Sequence, residues 1–209
     1  MERETNLTEA KAIMGSNFIG PVELTLIADK MGIIVSDKYP NIPFRHRELI
    51  DNQEEYILIL GTSQMNDGKS LTLKSMRERF GVNPEVTEPC FYNQDWYLNE
   101  KFIVKPLETK WFLIRKNVID ESRGKFPQNI SNNLTFPSAV ICAYLFFANW
   151  FYSKKCLWEH DFVWCNDLDH NGDRIYVGKY NDIEGINKKG FSIHRHLSIQ
   201  SFYGAIDIK

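Results

Sequence analysis

With 209 residues, 43% of them hydrophobic and 13% aromatic, the chain can bury one sizeable core and is no disordered polymer. A formal net charge of −2 leaves no overall positive field to draw it onto phosphate backbones or anionic lipid, so neither nucleic acid nor membrane is expected as a partner. The polar N-terminus MERETNLTEAKAIMG lacks the apolar run of a secretory signal, and Cys90, Cys142, Cys156 and Cys165 show no CxxC spacing, which together suit reduced thiols and a cytoplasmic location.

Asn6 followed three residues later by Glu9, with Gly15 as a stop, predicts a helix over 7–14. Gly20-Pro21 opens a second, whose Leu24, Ile27, Ala28 and Met31 form one stripe before Gly32 closes it. The prolines of YPNIPF break the pattern ahead of a short helical piece near 45–50. YILILG, at 56–61, is a continuous apolar run and predicts a central strand buried on both faces. Ser70 is expected to cap a helix carrying Leu73, Met76 and Phe80 and ended by Gly81. Asp95 is expected to cap a brief helix, and KWFLIRKNVI reads as a strand.

Residues 120–136 are polar, rich in turn formers and without periodicity; about 17 such residues is long for a connection and marks either a functional or a mobile loop. Pro137 then opens AVICAYLFFANWFY, which at 14 residues falls short of the roughly 20 needed to span a bilayer and reads as a buried core helix. DFVWCN, RIYVGKY, FSIHRHLSI and FYGAIDI alternate with period two between turn residues, as an antiparallel meander would. The expected architecture is one α+β domain over 1–209: N-terminal helices, a long buried helix and a C-terminal antiparallel sheet.

Four stretches carry candidate chemistry. Asp167, Asp169, Asn171 and Asp173 repeat the oxygen donors of the first half of a calcium loop, but position 12 is Gly178 and both flanks read as strands, so a hairpin with acidic caps explains the same residues. Gly68-Lys69-Ser70 follows a strand and precedes a helix, as in a phosphate loop, although six residues rather than four separate it from Gly61. His194 and His196 share a strand face where a metal could bridge them, and no third ligand is evident. Tyr92, Asp95 and Trp96, within CFYNQDWY, could form an aromatic binding platform or simply fill a core. The same alternation sends Arg195 to the side of Phe191 and Ile193, with Asp173 or Glu184 as its expected acidic partner and the histidines facing solvent.

The blocks NFIGPVEL, YILILG, EPCFYNQDWY and GDRIYVG, in this order, resemble an uncharacterised bacterial protein family. The resemblance covers most of the chain, implies a single intracellular domain and carries over no catalytic residue. The expected function is a non-enzymatic binding or interaction protein for a small molecule or another protein, without a cofactor. Two enzymes stand as alternatives: one acting on a phosphorylated small molecule through the 61–70 loop, and a metal-dependent one using the His194/His196 face.

Overall fold

The computed structural model describes residues 4–130, 132–180, 190–195 and 198–209. The N-terminal helices form where their end signals place them. Helix α1, Leu7–Met14, carries the Asn6/Glu9 capping box, each side chain accepting from the other's backbone N–H. A two-residue strand β1, Phe18–Ile19, leads into α2, Pro21–Met31, where Glu23 turns back to accept from the N–H of Gly20 and Gly32 closes the end in the left-handed conformation. Helix α3 covers His46–Asn52, and the apolar run becomes β2, Tyr56–Leu60, every residue buried.

Helix α4, Leu73–Phe80, begins later than the sequence suggests. Thr72, not Ser70, accepts from the N–H of Ser75, and Ser75 returns the bond; Ser70 is instead bridged to Gln64. Asp95 starts no helix: the backbone turns tightly behind it and its carboxylate pairs with Arg77 at 2.8 Å. Short strand β3, Cys90–Phe91, and strand β4, Trp111–Arg115, precede the 120–136 connection, which contains two single 3₁₀ turns.

Helix α5, Ala139–Ser153, is the apolar helix of the sequence, with residues 139 to 149 all buried. It lies between α2 and α4 on one side and, on the other, a sheet built from β5 (Phe162–Leu168), β6 (Arg174–Tyr180) and β7 (Gly190–His194). Each large side chain so enclosed contributes about 1.5–3 kcal/mol of transfer free energy. Phe80 stacks on Phe147 at 4.0 Å, Phe91, Phe146 and Phe191 complete the ring cluster, and the hydroxyl of Tyr144 donates to the carbonyl of Leu60 at 3.0 Å. No helix among the described residues is long and apolar enough to cross a membrane.

The fold is α+β, but the C-terminal sheet is mixed rather than antiparallel. Its order is β3-β7-β6-β5-β8, with β8 being Tyr203–Gly204. The β5-β6-β7 meander is antiparallel as expected, whereas β3 adds parallel to β7 and β8 adds parallel to β5. A second sheet, β1-β2-β4, pairs β1 parallel and β4 antiparallel to the central β2. Period-two alternation marks a strand but says nothing of its neighbour, so the long return that carries FYGAIDI to the far edge of β5 has no local signal. After Gly204 the chain leaves that sheet and runs along β4, Arg115 donating to the carbonyl of Asp207 and Leu113 and Lys209 exchanging bonds.

The face of the five-stranded sheet turned away from α5 is also covered. Phe162, Trp164, Tyr176 and Tyr203 form a second apolar cluster with Ile130 and Ala205, and Leu134, Phe136 and Ile199 pack against it. Much of that cover comes from the 120–136 connection.

Candidate functional site

The turn between β5 and β6 is a hairpin whose Gly172 takes a φ of 86°, a conformation that suits glycine. Asp169 Oδ1 accepts from the N–H groups of Asn171 and Asp173 at 2.8 and 2.9 Å. Asp167 points elsewhere: it binds Lys105 Nζ at 2.7 Å and accepts from the N–H of Ala139 at 2.7 Å, placing a carboxylate on the positive end of α5. The oxygens of Asp167, Asp169 and Asp173 therefore do not gather. The gathering found among the described residues is a different one, Glu100, Asp169 and His170, whose ligand atoms lie within 4.8 Å of one another. Arg195 Nη1 sits 2.8 Å from Asp169, 3.3 Å from Glu100 and 3.4 Å from His170 Nδ1, so a guanidinium supplies the positive charge there. Buried Glu100 also accepts from both Nδ1 and the backbone N–H of His170. Burial alone would push the Asp169 carboxyl up, but the N–H groups of Asp173 and Asn171 and the Arg195 guanidinium together hold it down to about 2.

Arg195 thus lies on the α5 side, as alternation requires, with Asp169 and Glu100 as its carboxylates in place of Asp173; Glu184 lies outside the described residues. Its guanidinium also stacks 4.5 Å over the ring of Trp96. Trp96 donates to the carbonyl of Ile193, Asp95 is spent on Arg77, and Tyr92 lines a separate cleft beside Cys90 and Gly190. These three side chains serve different neighbours rather than one platform. His194 does not face solvent. It packs against Phe162 and Tyr176, at 5.2 and 5.7 Å between ring centres, because the outer face carries the second aromatic cluster; burial pushes its imidazole down to about 4. His196 lies outside the described residues.

The 61–70 segment is a tight turn. Met65 donates to the carbonyl of Lys69, Gly68 takes a φ of 85°, and the Lys69 ammonium is held by Asp67 at 3.3 Å and Glu78 at 2.8 Å. With α4 starting only at Leu73, the N–H groups after Gly68 are not those of a helix end.

A further opening is one that no motif marked. A cleft of about 980 Å³ lies between the 120–136 connection and the outer face of the sheet, with Trp164 and Tyr176 at its floor and Phe136, Gln128, Asn132 and Arg174 among its walls. Phe126 and Leu168, half exposed at 50% and 47%, also line it. A β-bulge shapes its inner end. Between the pairs Trp164–Tyr176 and Leu168–Arg174, residues 165–167 of β5 face Ile175 alone, which frees the Cys165 carbonyl from the ladder. Arg174 Nη1 donates to that carbonyl at 2.8 Å, and its guanidinium lies 5.0 Å over the ring of Phe136. A smaller cleft, about 530 Å³, contains the Lys105–Asp167 ion pair, so its charges already have partners. The one sequence signal for the large cleft was the length and irregularity of 120–136. Comparison with known protein families, with curated proteins and with solved structures found no match for this chain.

Proposed function

We propose that the protein binds a small molecule in the cleft between the 120–136 connection and the five-stranded sheet, acting as a binding protein rather than through the 61–70 turn or the His194 face. The observation that carries this reading is the lining itself: two half-exposed apolar side chains and a ring-backed cation around about 980 Å³ of open volume. A monomer usually covers such apolar surface, and a concave site with a few placed polar groups is the common form of a small-molecule pocket. The turn and the histidine offer less, since Lys69 is neutralised by two carboxylates and His194 is enclosed by rings.

A panel of planar naphthalene compounds, neutral, anionic and cationic, titrated into ¹⁵N-labelled protein provides the test. Binding should shift amide resonances of residues 126–136, 168 and 172–176 together. Phe126→Ala with Leu168→Ala should weaken it about tenfold, while stability moves by no more than about 0.5 kcal/mol per exposed site. Shifts confined to residues 61–70, or none in the cleft for any compound, would refute the proposal.

A further inference from the structure

We propose that the ligand of this cleft is a planar monoanion, a small carboxylate with an aromatic or otherwise flat apolar body, and that Arg174 is the residue that anchors its charge. This rests on the cleft being the binding site.

Five arginines among the described residues are half-buried: Arg77, Arg115, Arg123, Arg174 and Arg195. Four have a carboxylate. Arg77 meets Asp95 at 2.8 Å, Arg115 meets Glu55 at 2.8 Å, Arg123 meets Asp161 at 2.7 Å and Arg195 meets Asp169 at 2.8 Å. Arg174 alone has none among the described residues. Among the described residues its contacts are a carbonyl on Nη1 and the face of Phe136, which leaves the remaining donors of the guanidinium fork unmatched by them on the wall of an open cleft. A guanidinium held partly out of water against a ring is the group that recognises a carboxylate through two parallel N–H bonds.

The geometry also selects among anions. Asp173 contributes an exposed carboxylate to the lining, which opposes a dianion such as phosphate more than a monoanion. Being exposed, it is screened by water, whereas the half-buried guanidinium is screened less, so the balance at the inner end favours one negative charge. The flat body of the ligand is set by what surrounds that charge: Phe136 against Arg174, Phe126, Ile130 and Leu134 on the connection, and Leu168 at the end of β5.

Three probes of one shape separate charge from cleft: naphthalene-2-carboxylate, the neutral naphthalene-2-carboxamide and the cationic 2-aminomethylnaphthalene. In the wild-type protein the carboxylate should bind at least tenfold more tightly than the carboxamide, the amine should be weakest, and raising salt should weaken the carboxylate alone. Arg174→Gln should bring carboxylate and carboxamide to equal affinity, with a melting curve recorded because the bond to Cys165 is lost as well. The wild-type series needs no variant to fold. Equal affinities for all three, or a preference for the amine, with cleft resonances still shifting, would overturn the anion assignment and leave the cleft as the binding site. An absence of cleft shifts with every probe would overturn both.

Discussion

His194 shows how the far side of a sheet decides the chemistry of one residue. On an exposed face it would titrate near the ordinary imidazole value of about 6.5. Here Phe162 meets it edge-on, Tyr176 stacks on it, and the Gln94 amide nitrogen lies 3.2 Å from its Nδ1, which calls for a lone pair on that nitrogen. Burial pushes the folded-state value down to about 4. The unfolded chain therefore takes up a proton that the folded chain refuses across the window from about 6.5 to about 4. Stability is full above that window and falls as the pH drops through it. Between pH 7.5 and pH 5 this residue should remove of the order of 2 kcal/mol. Urea denaturation of wild type and His194→Gln at the two pH values checks it: the variant should lose less stability on acidification than the wild type. Equal losses would mean that the imidazole is protonated within the fold.

Which elements could be read from the sequence depended on whether the signal was local. The capping box of α1 joins residues three apart and α2 opens at the adjacent Gly20-Pro21 pair, so both starts were visible. At α4 two capping side chains competed. Ser70 stands close to a glycine-lysine pair that draws the eye, yet Thr72 has Ser75 three residues on, and the reciprocal bonds between them are what start the helix. Thr72→Ala should cost about 1 kcal/mol, while Ser70→Ala, exposed and outside the helix, should stay within about 0.5 kcal/mol. Thermal melts of the two variants decide between the two caps, and a larger loss at Ser70 would reverse the assignment. The cleft was less legible because its parts come from distant segments. Only the length of 120–136 hinted at it, and the freed carbonyl that seats Arg174 arises from a bulge that alternation does not announce. Likewise Glu100 reaches Arg195 and His170 only through the fold, so neither pairing could be read from spacing.

At the scale of the whole molecule, the last residues join what would otherwise be two layers. Ala205, on the outer side of the five-stranded sheet, packs in the second aromatic cluster, and its neighbour Ile206 packs in the main core; both are fully buried. Their backbone changes sheets at the same point. β8 pairs with Phe162 and Val163 of β5 and ends at Gly204, after which the Ala205 and Asp207 carbonyls accept from the backbone N–H groups of Ile119 and Arg115 at 2.9 and 3.0 Å. Asp207 adds a clasp, accepting from the Thr135 N–H at 2.9 Å and from the Tyr56 hydroxyl at 3.3 Å. If this strap couples the sheets, they unfold in one step, as single cores do. Fluorotryptophan labelling gives a reporter in each, Trp111 in β4 and Trp164 in β5. In the wild-type protein the two signals should change at one urea concentration. Ile206→Ala removes a buried branched side chain and should cost about 2–5 kcal/mol, lowering both midpoints equally. A variant in which Trp111 loses its native signal at lower urea while Trp164 keeps its original midpoint would show that the sheets are independent units and that the C-terminal strap merely rests on both.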